Sequence, residues 1–150
     1  MIKDNIIIGG EESGGIGVKN HIPERDGLLI GLLMLEYLAT TGKTLLELIG
    51  DLERRFGVLH YDRIDAHLGD EKRLGLIQRL RNSPPEKLGN VPVDHVQTLD
   101  GIKFFLTNNS WILIRASDTE PVVRLYSGSD SMEKVQNTLI AGKQLCGIDE

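Results

Sequence analysis

Between Ile102 and Tyr126 the chain carries three strand-like runs joined by connections only a few residues long, and no other feature constrains its fold as strongly. Ile102 to Thr107 sets Ile102, Phe104 and Leu106 on one face, Asn108-Asn109 supplies a turn, and Trp111 to Ile114 follows. Arg115 to Pro121, read Arg-Ala-Ser-Asp-Thr-Glu-Pro, then leads into Val122 to Tyr126. Such short connections predict hairpins, and therefore antiparallel neighbours.

The flanking segments predict what covers that sheet. Tyr61 to Leu68 alternates Ile64, Ala66 and Leu68 with polar residues, as a half-buried strand does. Asp70 to Asn82 has Leu74, Ile77 and Leu80 or Arg81 at helical spacing, and Pro84-Pro85 ends it. Val91 to Leu99 is a less regular strand, closed by an Asp100-Gly101 turn. A last helix places Met132, Val135, Leu139, Gly142 and Cys146 on one face, with Asp130 and Glu133 as its expected cap pair. The expectation is an α+β domain over residues 61–150, an antiparallel sheet with helices packed on one face.

Residues 1–57 read differently. Asn5 to Ile8 is a continuous apolar run of the kind found in a strand covered on both faces, and a glycine-rich turn follows. Asp26 is placed to cap a helix from about Leu28 to Ala39, which has almost no polar face and so expects cover on most sides. Thr44 with Glu47 forms a capping box for a second helix in which Leu45, Leu48, Leu52 and Phe56 follow one-face spacing and which stops at Gly57. One strand and two helices make a partial α/β domain, joined to the second domain near residues 57–61.

Composition excludes several function classes. The net charge is −5 and neither half is basic, so no overall field attracts nucleic acid or an anionic membrane. Cys146 is the only cysteine, so no internal disulfide forms. The longest apolar stretch, Gly27 to Leu35, falls far short of the roughly 20 residues a membrane span needs. With Lys3-Asp4-Asn5 interrupting the first apolar residues, a cytoplasmic location is expected.

Two stretches carry chemistry. In the 115–121 loop, Arg115 supplies a planar fork of donors, Ser117 and Thr119 supply hydroxyls, and small residues allow backbone N–H groups to converge, which is how a phosphate is held without a metal. Ser, Asp, Thr and Pro are equally the material of ordinary hairpin turns, so the residues alone leave both readings open. Arg124 shares a sheet face with Val122 and Tyr126 and can either reach a phosphate or pair with Glu120. In Gly9 to Gly15, the Glu11 carboxylate can accept and the Ser13 hydroxyl can donate or accept toward a ligand, although a solvated acidic turn would look the same. The histidines at 21, 60, 67 and 95 have no zinc spacing, and Ser13 does not sit in a G-x-S-x-G elbow.

Gly-Gly-Glu-Glu-Ser-Gly-Gly at Gly9 to Gly15, Gly-Val-Lys-Asn-His-Ile-Pro-Glu-Arg-Asp-Gly at Gly17 to Gly27, and Arg-Ala-Ser-Asp-Thr-Glu-Pro-Val-Val-Arg at Arg115 to Arg124 together resemble the α-D-phosphohexomutases, the phosphoglucomutase/phosphomannomutase family. The resemblance covers the C-terminal portion of a four-domain enzyme: residues 1–57 resemble the end of its third domain and residues 61–150 its fourth. It implies that Glu11, Ser13 and, in a minor positioning role, His21 serve the sugar. It further implies that Arg115, Ser117, Asp118, Thr119 and Arg124 form the site for the phosphate that is not being transferred. The family moves a phosphoryl group between carbons 1 and 6 of a hexose phosphate through a phosphoserine, with magnesium. Neither its Thr-Ala-Ser-His-Asn phosphoserine loop nor its Asp-Gly-Asp-Gly-Asp-Arg magnesium loop occurs in this sequence, so no catalytic residue or metal ligand is expected here. The lone chain is then expected to be inactive, magnesium belonging to the complete enzyme, and residues 1–57 to meet the missing domains or self-associate. A stand-alone, non-catalytic sugar-phosphate-binding module is the alternative. Asp118 stands where the family usually has glycine: it tolerates the backbone geometry, but its carboxylate lies beside any bound dianion.

Overall fold

The computed structural model describes residues 6–11, 14–117 and 120–148. The chain divides into two compact units, Met1–Leu52 and Glu53–Glu150.

In the first unit, β1 (Ile8–Gly10) pairs antiparallel with β2 (Ile16–Val18), Ile8 opposite Val18 and Gly10 opposite Ile16. The single strand expected from the apolar run is thus one arm of a hairpin, and it starts later than the run. Ile7 and Ile8 are exposed, so the described residues of this unit supply no cover for them. The turn between the arms needs Gly14, whose φ is +89°. α1 (Gly27–Thr41) begins where Asp26 Oδ1 accepts the Leu29 N–H at 3.0 Å and ends at Gly42 in the left-handed conformation. α2 (Leu45–Phe56) opens with the capping box: the Thr44 N–H donates to Glu47 Oε2 at 2.8 Å and the Glu47 N–H to Thr44 Oγ1 at 3.3 Å. Gly57, φ +85°, ends it.

The second unit is a six-stranded antiparallel sheet in the order β3-β8-β7-β6-β5-β4. Its strands are β3 (His60–His67), β4 (Lys87–Leu88), β5 (Val91–Gln97), β6 (Ile102–Leu106), β7 (Trp111–Ala116) and β8 (Val122–Ser129). The first and last strands lie side by side, with His67 opposite Val122 and Tyr61 opposite Gly128. β5 to β8 form the expected meander, and the short edge strand β4 carries no pattern that the sequence revealed. The register of β5 against β6 shifts between Val93 and His95, a bulge inside the strand, which ends at Gln97, two residues before the anticipated Leu99.

Two helices cover one face of the sheet. From β6, β7 and β8 come Ile102, Phe104, Leu106, Ile112, Ile114, Val123 and Leu125. They pack against Leu76 and Leu80 of α3 (Asp70–Asn82) and Val135, Leu139 and Cys146 of α4 (Met132–Cys146). Gly142 brings α4 onto the sheet: a Cβ there would run into Ile112 Cδ1 and approach Leu125 Cδ2 to 3.1 Å. The N-cap of α4 is Ser131, which accepts the Lys134 N–H, rather than Asp130, which pairs instead with the Lys134 ammonium at 2.8 Å. A hydroxyl one residue later satisfies the orphan N–H and leaves the carboxylate to the i+4 cation.

The opposite face carries one aromatic row in lateral register. Tyr61 lies opposite Gly128, Gly128 opposite Trp111, Trp111 opposite Phe105, and Phe105 opposite His95. Gly128 is obligatory, since a Cβ there would meet the Trp111 indole at 2.7 Å. Lys103 Nζ sits 4.0 Å from the Trp111 ring centre, and burial pushes its pKa down.

Candidate functional site

The 115–121 loop closes the hairpin between β7 and β8, and its two ends are pinned differently. Arg115 is directly opposite Arg124 across the strand pair, so two guanidinium groups share one sheet face. Like charges directly opposite one another are destabilising, so such a pair requires anions. The described residues supply three: Asp100 Oδ1 lies 3.4 Å from Arg115 Nε, Glu120 Oε2 2.7 Å from Arg124 Nη2, and Asp65 Oδ2 3.7 Å from Arg124 Nε. The pairing of Arg124 with Glu120 that the sequence allowed is therefore formed. Arg115 is more loosely held and borders a cleft of about 350 Å³ lined also by Leu74, Ile77, Gln78, Arg81, Asp100 and Gly101.

Asp100 reaches Arg115 because of Gly101. At φ +87° a glycine is favoured, and a Cβ would lie 2.6 Å from the Ile114 carbonyl oxygen, so no other residue lets this turn come so close to β7. Ser117 is buried and its backbone N–H donates to the Val122 carbonyl at 3.0 Å. That N–H closes the loop and is not one of the donors a ligand would meet. At the other end Leu68 N–H donates to the Pro121 carbonyl at 2.9 Å, and Arg73 Nη1 to the Glu120 carbonyl at 3.2 Å. Asp118 and Thr119, both expected in the site, lie outside the described residues, as does Ser13.

The second candidate, in the first unit, is a cleft of about 360 Å³ lined by Gly9, Gly10, Glu11, Gly15, Gly17, Pro23, Glu24 and Arg25. Glu11 is on this wall, but its Oε2 accepts from Arg25 Nη1 at 2.8 Å. The Glu11 carboxylate, and after it Glu24, raises the Arg25 pKa further. Gly15 makes room for the pair: a Cβ would meet Arg25 Cδ at 2.5 Å. His21 is not on this wall. Its Nε2 lies 2.7 Å from Asp26 Oδ2, so it buttresses the cap of α1. The Leu29 N–H and, after it, His21 hold the Asp26 carboxyl below the usual range.

Sequence reasoning missed Arg25, Asp100, Gly101 and Arg73. Arg25 lies inside the quoted segment Gly17 to Gly27, two residues past the proline, and its role needed only the fold-back of β2 toward Glu11. Asp100-Gly101 was visible as a turn, whereas its closeness to Arg115 depends on strand order. Nothing around Arg73 distinguishes it from a solvated helix arginine. Elsewhere, burial pushes the Cys146 thiol up to about 12, so it stays protonated and is no nucleophile. Among the described residues no three His, Cys, Asp or Glu side chains converge to hold a metal ion. No single helix among them is long and apolar enough to cross a membrane.

Comparison with known proteins follows the division of the chain. The family model described as phosphoglucomutase/phosphomannomutase, alpha/beta/alpha domain III, matches residues 1–56, and that for the phosphoglucomutase/phosphomannomutase C-terminal domain matches residues 65–139. A phosphoglucomutase/phosphomannomutase of Thermococcus kodakarensis is 31% identical over 97% of this chain and 29% of its own length. A phosphoglucosamine mutase of Methanocaldococcus jannaschii is 30% identical over 97% of this chain and 30% of its own length. A crystal structure of a phosphoglucomutase/phosphomannomutase family protein from Burkholderia thailandensis superposes with a TM-score of 0.70 at 25% identity, covering 93% of this chain and 27% of that one. The chain thus spans less than a third of the length of these relatives.

Proposed function

Because the chain belongs to the phosphoglucomutase/phosphomannomutase family, we propose that it supplies the ligand-holding C-terminal part of a phosphohexomutase. In this reading the 115–121 loop clamps the phosphate that stays in place while another is moved between carbons 1 and 6. The observation that carries it is the Arg115–Arg124 pair, two cations opposed on one sheet face and balanced by carboxylates. A phosphate dianion offers the same compensation with bidentate geometry, and can take Arg115 from the more distant Asp100. Ser117 and Thr119 add hydroxyl donors, and Asp118 weakens the site by its charge. Glu11 and Ser13 receive the sugar hydroxyls, with Arg25 orienting the Glu11 carboxylate and His21 acting only through the Asp26 cap. Magnesium would bind in the complete enzyme, to the Asp-Gly-Asp-Gly-Asp-Arg loop that does not occur in this sequence. The junction between the two domains is assigned to residues 57–61.

The first unit needs a partner surface, and we assign that role to the remainder of the α/β/α domain, with self-association as the outcome when that remainder is missing. Light scattering on the chain alone then reports a species larger than a monomer. The phosphate reading is tested by titrating glucose 6-phosphate while following the 115–122 amides by NMR. Arg115→Ala is expected to lose binding, Ser117→Ala and Thr119→Ala to weaken it less, and Asp118→Gly to tighten it. Wild-type affinity in Arg115→Ala would place the phosphate elsewhere. The lone chain should give no mutase turnover in a coupled assay with glucose 1-phosphate, the bisphosphate and magnesium.

A further inference from the structure

We infer that Arg73 is a positioning residue for the 115–121 loop, setting the shape of the phosphate clamp from helix α3 without itself touching the phosphate. This rests on the phosphate reading of that loop. The Glu120 carbonyl accepts two hydrogen bonds, from the Val122 N–H at 2.8 Å and from Arg73 Nη1 at 3.2 Å, so both its lone pairs are engaged. The Glu120 side chain simultaneously holds Arg124 at 2.7 Å. One residue later the Pro121 carbonyl accepts the Leu68 N–H at 2.9 Å, from the segment that leads directly into α3. Glu120 and Pro121 are therefore fixed by the β3–α3 junction, 47 residues away from Glu120 in the case of Arg73.

At the other end, Asp100 holds Arg115 and the Ser117 N–H closes on Val122. Arg115 and Arg124, the two cations a phosphate would meet, are thus tied to these anchors, Arg124 through the Glu120 side chain. Moving the Glu120 anchor moves Arg124 relative to the ligand, and donor placement within about 0.5 Å separates a tight site from a loose one. Arg73 suits the task because its guanidinium spans from the first turn of α3 to a carbonyl that no backbone N–H of the helix reaches. A charge-assisted donor to a carbonyl also outlasts a neutral one under solvent competition.

The test uses the full chain and inorganic phosphate as probe, followed at the 115–122 amides. Arg73→Met removes the donor and keeps the aliphatic stem; Arg73→Lys keeps a cation able to reach the carbonyl. Phosphate affinity should fall roughly fivefold in Arg73→Met and stay within about twofold of wild type in Arg73→Lys. In the absence of phosphate, the Val122 amide should exchange faster in Arg73→Met, while the Trp111-monitored melting of the sheet stays near wild type. Unchanged affinity in Arg73→Met overturns the inference. So does weakened affinity with unchanged ligand-free exchange, which would make Arg73 a direct contact. If instead Arg115→Ala binds phosphate like wild type, the loop is not the phosphate site and this inference falls with that reading. Arg73→Gln, too short and neutral, repeats the Arg73→Met result should that variant fold poorly.

Discussion

Helices α1 and α4 are both 15 residues long, both start at a side-chain N-cap and both end at a left-handed glycine, yet they meet opposite fates. α1, rich in leucine, buries none of its residues: Leu28 is 84% exposed and Leu35 63%. α4, with lysine, glutamate and asparagine among its residues, buries Val135, Thr138, Leu139, Gly142 and Cys146. Local signals decide where a helix starts and stops, while burial requires a surface of complementary shape. α4 has that surface in β8, β7 and β3, and a helix apolar on most sides, next to a two-stranded hairpin, does not. Such a helix is made to be enclosed, which agrees with an α/β/α family match over residues 1–56.

The comparison is broken most forcefully by truncating one leucine in each helix. Leu139→Ala opens a cavity in the core of the second unit and should cost about 2–5 kcal/mol, seen as a lower denaturation midpoint of Trp111 fluorescence. Leu32→Ala, at a position 65% exposed in the single chain, should change the exchange of the 27–41 amides by no more than about 0.5 kcal/mol at dilutions where light scattering reports a monomer. An equal loss at Leu32 would show that α1 is covered in solution by another copy or another domain. The next effect separates two helical glycines. Gly142→Ala pushes a methyl into Ile112 and Leu125 and should destabilise by about 1–3 kcal/mol. Gly31→Ala meets nothing within 4 Å and should stabilise α1 by up to about 1 kcal/mol through helix propensity.

Smaller effects sharpen the contrast at the caps. Ser131→Ala should cost about 1 kcal/mol by leaving the first turn of α4 unsatisfied, measurable at the same Trp111 transition. Acid distinguishes the helices further. The Asp26 and Glu47 carboxyls, held down by the Leu29 and Thr44 N–H groups, contribute stability that is present above their unfolded pKa values and lost as pH falls through the lowered folded ones. The first turns of α1 and α2 should therefore fray below about pH 4, with carboxyl titration midpoints under the ordinary values, while the Ser131 hydroxyl cap does not titrate. Midpoints at or above the ordinary values would remove the caps from the account.

Much of the site was readable as loop chemistry but not as geometry. Arg115, Arg124 and the turn between them followed from alternation and from the hairpin connection, and the opposition of the two arginines follows once β7 and β8 are in register. Asp100 and Arg73 were not readable, because each acts on the loop across distances in sequence that only strand order and helix placement close. Glu11 shows the same limit from the other side: the residue was identified, but its Arg25 partner depends on how the β1–β2 hairpin folds back.

What the sequence determined by itself is therefore local and periodic. It set the Thr44–Glu47 box, the Asp26 cap, the glycine that ends α2, and the alternation that puts Ile102, Phe104 and Leu106 on one face, since each depends on residues within one turn or one strand. Tertiary structure alone decided that Gly128 lies under Trp111, that Gly101 carries Asp100 to Arg115, and that Glu120 is held from α3. Those contacts join segments whose separation in sequence carries no periodic signal, and they form only when a packed sheet fixes which backbones can approach.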